Sequence, residues 1–193
     1  MKRFFSFFLF ACICIASFAQ QDEFRKAVAK YKNTSSVTAS VVKTAHKNAL
    51  KNDVVTKGNL IMKSPSEVSI VMQGEKDQLL MKGSTFTMVV NGKKHTTSSE
   101  KNIQFVTFQA VFESILSGGA KDISSLNDLT MKKQGNSIIL TITPQAANKK
   151  AAKRIMFSSF VLTIDTKTSE LKSLRMNERA GYTEYTFSGY KFK

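Results

Sequence analysis

"GNLIMKSPSEVSIVM", residues 58–72, is the stretch whose reading decides the fold. Two apolar, β-prone runs, residues 60–62 and 68–72, flank Ser64-Pro65-Ser66, a cluster that breaks a strand and favours a turn. The segment therefore reads as strand, turn, strand. Period-two spacing puts Leu60 and Met62 on one face of the first strand, and Val68, Ile70 and Met72 on one face of the second. Ile61 and Val71 make the opposite parity apolar as well, although a half-solvated antiparallel sheet alternates more cleanly. Either both faces are covered, or one of them lines a cavity.

Outward from this hairpin the period of two persists. Upstream lie "SSVTASVVKTA" (35–45) and "DVVTKGNLIMK" (53–63). Downstream come "EVSIVMQ" (67–73), "DQLLMK" (77–82) and "TFTMVVNG" (85–92), with "GKKHTT" (92–97) adding a short strand. The separators "GEK" (74–76) and "GS" (83–84) are turn-like, so the run predicts an antiparallel meander. A second series follows: 126–134, 136–144, 153–165, 170–178 and 182–193. Gln134-Gly135-Asn136 and residues 166–169 form its hairpin turns, and "PQAANKKAA" (144–152) forms a flexible loop. The count is ten or eleven strands.

Two segments change to helical period. "QDEFRKAVAKYKN" (21–33) spaces Phe24, Ala27, Val28 and Tyr31 along one face. "NIQFVTFQAVFESILSGG" (102–119) gathers Phe105, Phe108, Val111, Phe112, Ile115 and Leu116 within an arc of roughly 140°, with Gln104 the one polar residue inside it. Asn102 suits an N-cap, and Gly118-Gly119 suit a stop. Fully burying six such side chains is worth about 1.5–3 kcal/mol each, so this face must be covered. No linker or repeat divides the chain, and residues 20–193 read as a single domain.

The N-terminus has the layout of a secretory signal: Lys2-Arg3, an apolar run over residues 4–19, and Ser17-Phe18-Ala19 as a small-residue cleavage site after Ala19. Cys12 and Cys14, the only cysteines, fall within it. The bulky Phe10 before Cys12 argues against a lipidation box. The mature chain then lacks disulfides and thiol chemistry. Losing Lys2 and Arg3 leaves it 27 basic against 14 acidic side chains, a net charge of +13. Such a surface repels itself, or is drawn to anionic membranes or acidic proteins; export and the lack of an aromatic-basic motif argue against nucleic acid. His46 and His95 each sit among lysines without an adjacent carboxylate, and Asp53, Asp77, Asp122 and Asp128 sit at turns or caps. That is no catalytic constellation and no metal-ligand spacing, so the expectation is a protein without enzymatic activity or cofactor.

The quoted hairpin also resembles the signature of the periplasmic outer-membrane lipoprotein carrier family, the LolA type, in which G-x-L-x-V-K-R-P precedes an alternating apolar strand. Gly58, Leu60, Lys63 and Pro65 match, and Met62 replaces the Val. "LLMKGSTFTMVV" (79–90) looks like the family's next hairpin, "FQAVFESILSG" (108–118) falls where the family has a lid helix, and "LTMKKQGNSIILTITP" (129–144) resembles a later strand pair. The likeness spans nearly all of the mature chain.

The resemblance implies a mainly β, α+β fold: a strongly curved antiparallel half-barrel whose helices cap an apolar concave face. It also implies a monomeric periplasmic carrier. Such a carrier takes acylated lipoproteins from an inner-membrane lipoprotein-releasing transporter and delivers them to an outer-membrane acceptor. One parity per strand then supplies the cavity: Leu60, Met62, Val68, Ile70, Met72, Phe86 and Met88, opposed by Phe105, Phe108, Val111, Phe112, Ile115 and Leu116. The seven mature methionines suit a surface that repacks around varied chains. Two departures stand out. Ser64 occupies the place of the arginine thought to tie the family's lid shut, and the chain has no tryptophan. A carrier or sensor of other lipids or glycolipids, or a basic binding scaffold with a dry interior, remains as an alternative.

Overall fold

The computed structural model describes residues 20–74, 76–146 and 155–193. The expected signal, Glu75 of the "GEK" turn, and most of the loop expected over 144–152 lie outside the described residues. So does the start expected at 153 for the strand that follows that loop.

Eleven strands form one sheet, and every neighbouring pair is antiparallel. The first six are β1 (Ser36–Lys47), β2 (Val54–Lys63), β3 (Glu67–Met72), β4 (Gln78–Lys82), β5 (Thr85–Val90) and β6 (Lys93–Ser98). The rest are β7 (Leu129–Gln134), β8 (Ser137–Ile142), β9 (Phe157–Asp165), β10 (Leu171–Glu178) and β11 (Gly181–Phe192). The spatial order is β6-β5-β4-β3-β2-β1-β11-β10-β9-β8-β7. Two meanders are thus joined where β1 meets β11. The edge strands carry Lys93-Lys94 and Lys132-Lys133, charges that discourage edge-to-edge pairing.

Residues 20–28 form a helix, α1, which tightens into a 3₁₀ turn at Ala29–Asn33. Its Phe24, Ala27, Val28 and Tyr31 are buried, as their spacing requires. The second helix, α2 (Val106–Leu116), is entered through a 3₁₀ turn at Ile103–Phe105. Asn102 does not cap it. Its Oδ1 instead accepts a hydrogen bond from Gln104 Nε2 at 2.9 Å.

One face of the sheet is concave and apolar, and α1 and α2 join its buried cluster. The second apolar parity has another fate than a second cover: Val42 and Ile61 lie on the convex side, about two-fifths exposed. These β-branched residues suit the pleated surface and its cross-strand neighbours without a layer above them. Where β11 passes β1 its register shifts between Thr38 and Ser40, opposite a bulge at Gly189-Tyr190. The bulge switches parity. Tyr185 and Phe187 face the core before it, while Tyr190 and Phe192 pack against the core after it.

The signature glycine has a steric reason. A Cβ at Gly58 would lie 2.3 Å from the Val71 carbonyl oxygen and 2.8 Å from Met72 Cα. Only glycine lets β3 close on β2 where the two strands part.

Candidate functional site

The concave floor takes its side chains from alternate residues of successive strands. Leu60 lies opposite Ile70, Met62 opposite Val68, and Gly58 opposite Met72. Leu60, Met62, Val68, Ile70, Met72 and Phe86 are buried in one apolar cluster, against which the half-buried Met88 packs. Phe105, Phe108, Val111, Phe112, Ile115 and Leu116, from the lid segment, belong to the same cluster. The structure thus brings all thirteen expected residues together.

The aromatic rings show how α2 lies on the sheet. Phe105 stacks on Phe86 of β5 at 4.6 Å, and Phe108 meets Phe160 of β9 at 4.9 Å and Phe112 at 4.8 Å. Phe86 also meets Phe108 at 5.9 Å. Since β5 and β9 lie near opposite edges of the sheet, the lid staples the two ends of the half-barrel together. Each aromatic pair adds about 0.5–1.5 kcal/mol beyond area burial.

Polar contacts fasten the lid at its margins. Gln104 is buried; its Oε1 accepts the backbone N–H groups of Met156 and Phe157 at 3.2 and 3.3 Å. Thr107 donates to Asp128 at 2.5 Å, and Ser99 to Gln109 Oε1 at 2.6 Å. Glu113 accepts from Gln109 and Lys121, both at 2.6 Å. Burial raises the Glu113 pKa, but the Lys121 and Gln109 bonds outweigh it and hold its carboxyl below the ordinary value.

Gly118 and Gly119 do more than stop the helix. At φ +66° and +80°, each lies so near α1 and its 3₁₀ turn that a Cβ would come within 2.6 Å of Lys32 Cβ or 2.8 Å of Arg25 Cγ. The Ser64-Pro65 turn lies near the end of α2, where Pro65, Ser66, Glu113, Ser117, Ala120 and Lys121 line a wide groove.

Beyond the lid the concave floor continues uncovered. A cavity of about 260 Å³ opens there, lined on its apolar side by Ala45, Val54, Met88, Val90, Met176 and Tyr185. Two ion pairs share its walls: Lys43 with Asp77 at 2.5 Å, and Lys47 with Glu178 at 2.6 Å. Burial raises the Asp77 pKa, yet the Lys43 ammonium and the Asn91 N–H, at 3.0 Å, outweigh burial and hold it below the ordinary carboxylate range. Burial is also the main reason the Tyr185 phenol is pushed up, with the Asp77 and Glu178 charges adding to it.

Sequence reasoning missed these two pairs, because their partners lie 34 and 131 positions apart. The only local signal was a change from Val to Lys along the inward parity of β1. It also missed a partner of His46: its Nδ1 lies 2.7 Å from Asp53 Oδ1, brought near by the β1–β2 turn. This pair is more than one-third exposed and lies on the convex side, where His46 stacks on Tyr182. Among the described residues there is no group of three or more His, Cys, Asp or Glu that could hold a metal ion.

No family model matches the sequence, and no curated protein matches it. Solved structures do resemble the fold. The lipoprotein LppX of Mycobacterium tuberculosis is 14% identical at a TM-score of 0.39, covering 89% of this chain and 94% of its own. A LolA superfamily protein from Nitrosomonas europaea is 10% identical at 0.39, covering 90% and 93%. A putative outer membrane lipoprotein-sorting protein domain from Vibrio parahaemolyticus is 9% identical at 0.45, covering 92% and 93%. At these values the likenesses stand as similarities and carry no part of the functional case.

Proposed function

We propose that this chain is an exported carrier that shelters the acyl chains of lipoproteins between its concave sheet and the α2 lid. The carrying observation is the continuity of the floor. Apolar side chains run from beneath the lid into an uncovered cavity. A core that served only to hold the fold would have little reason to leave that end open.

The energetics fit a carrier. An exposed chain of fifteen methylenes costs on the order of 12 kcal/mol in water, so a shuttle must wrap it. Ligand pockets commonly span about 300–1,000 Å³, and a 260 Å³ cavity takes part of one chain. The rest enters by displacing Phe105, Phe108 and Phe112, whose rings give way if the lid swings. The marginal hydrogen bonds of Gln104, Thr107 and Ser99 supply a fastening that such a swing breaks and remakes. They would do the work that the resemblance assigns to an arginine at the place of Ser64.

The N-terminal sequence supports export, with cleavage after Ala19, and the motif order supports the periplasm. In that setting the carrier would receive cargo from an inner-membrane transporter and pass it to an outer-membrane acceptor. The absence of a catalytic constellation in the sequence supports a role without chemistry. One observation favours a second reading, a carrier of free lipids: the lid is fastened through Gln104 rather than through an arginine.

Mass spectrometry of material co-purified from the native compartment separates the two. A lipid-modified polypeptide is expected under the first reading, and free lipid alone under the second. Protein that stays empty even with acylated cargo co-expressed would sink both.

A further inference from the structure

Four of the large apolar side chains left exposed gather at one end of the molecule: Leu50 and Val54 at 54%, Val55 at 58% and Val90 at 44%. The pairing explains why. The β2–β3 ladder starts at Gly58, with the Gln73 N–H still reaching the Lys57 carbonyl at 2.8 Å, so Val54–Thr56 run on past β3 with β1 as their paired neighbour. The β1–β2 hairpin therefore extends past β3 as an arm, backed along β1 by β11. Its loop end is tied to the β10–β11 turn by the Asn48 N–H to the Ala180 carbonyl, at 2.9 Å. Leu50 sits in the connecting loop, Val54 faces the open cavity, and Val55 faces the opposite side. Val90 lies on the cavity wall contributed by β5.

Around these apolar groups the charge is positive. Lys51 and Lys57 are exposed on the arm, Lys76 on the β3–β4 turn, and Lys93 and Lys94 where the β5–β6 turn enters β6. The Gly92 N–H to Lys76 carbonyl bond, at 2.8 Å, sets those turns side by side. Among the described acids at this end, Asp77 and Glu178 are paired with Lys43 and Lys47, while Asp53, hydrogen-bonded to His46, takes one charge from the balance. Glu75, in the same turn as Lys76 by sequence, takes another.

We propose that this arm docks the protein on an anionic phospholipid bilayer. Leu50 and Val55 enter the boundary of the acyl chains, the lysines lie against lipid phosphates, and the cavity mouth faces the membrane. An apolar tip with a cationic surround binds an interface through the sum of both contributions. Each lysine near an anionic surface raises partitioning roughly fivefold. A tip of this size holds weakly, which suits a protein that must leave again. The biological purpose rests on the carrier reading, but the docking itself is tested separately.

Sedimentation of the mature protein with vesicles is the test, using phosphatidylglycerol mixed with phosphatidylethanolamine against phosphatidylethanolamine with phosphatidylcholine. Uptake of a soluble fluorescent fatty acid is followed in parallel, and circular dichroism checks folding. The wild type should bind the anionic vesicles and release them at high salt. Leu50→Glu with Val55→Glu should lower that binding roughly tenfold, and Lys51→Gln with Lys57→Gln roughly fivefold per lysine. Neither pair should change fatty-acid uptake. Failure of the wild type to bind anionic vesicles, equal binding to both vesicle types, or unchanged binding by the folded variants overturns the proposal. Loss of fatty-acid uptake by the wild type tells against the carrier reading instead and leaves the vesicle result to be read alone.

Discussion

Beneath α2 the concave floor packs carbon on carbon: Leu60, Met62, Ile70 and Phe86 share one buried cluster with Phe105, Phe108 and Phe112. Further along the same inward parity the chemistry changes. Val37, Ala39 and Val41 of β1 give way to Lys43 and Lys47; Leu79 of β4 is preceded by Asp77; Leu174 and Met176 of β10 are followed by Glu178. The lid sets this boundary. Under it, ionised groups would lose hydration that no partner fully restores. Beyond it, water still reaches the pairs, since the Lys43 and Asp77 side chains keep 14% and 22% of their exposure. One floor thus has a dry, close-packed section beneath α2 and a wetter section open to solvent beyond it.

Three substitutions test that contrast. The largest effect is expected beneath the lid, where Phe112→Ala should cost about 3–5 kcal/mol in a urea titration, through lost burial and the cavity left behind. A loss below about 2 kcal/mol would mean that the dry section is packed no better than the open one, and the comparison would break. Gln104→Leu comes next. It strands the Met156 and Phe157 N–H groups and should cost about 1–3 kcal/mol. Amide exchange in α2 should quicken more than in β1 and β11; uniform quickening would show that Gln104 fastens nothing in particular.

The smallest effect belongs to the open section. Lys43→Met leaves Asp77 without its cation and should cost about 1–2 kcal/mol, discounted because water still screens the site. Lys43→Met with Asp77→Leu should return most of that. The pH dependence has a definite sign. A carboxylate whose folded pKa is lowered adds stability above its unfolded pKa, about 3.9, and that share vanishes as pH falls through the folded value. Removing Lys43 raises the folded value, so acid unfolding of the single variant should begin at higher pH than in the wild type. An unchanged acid midpoint would show that the pair does not stabilise the folded state.

Much of this architecture was legible in the residues. The switch from period 3.6 to period two placed ten or eleven strands and the two amphipathic helices, and it selected Leu60, Met62, Val68, Ile70 and Met72 as one face. Gly58 and Gly118-Gly119 were visible as residues but not as causes. Their roles depend on backbone from another element arriving within 3 Å of where a Cβ would stand. Gln104 was visible as the polar exception in an apolar stripe, while its partners, 52 and 53 positions away, were not. The bulge at Gly189 hid the change of face in β11, because alternation counted along a strand assumes an unbroken ladder.

By itself, then, the sequence determined which side chains share a face, because period is a local property set by backbone geometry. Only the tertiary structure decided what each face meets. Sheet curvature brought β5 and β9 under one helix, set Lys43 against Asp77, and carried the β1–β2 arm past the end of β3. Those outcomes follow from register and curvature summed over many strands, and short-range spacing does not encode that sum.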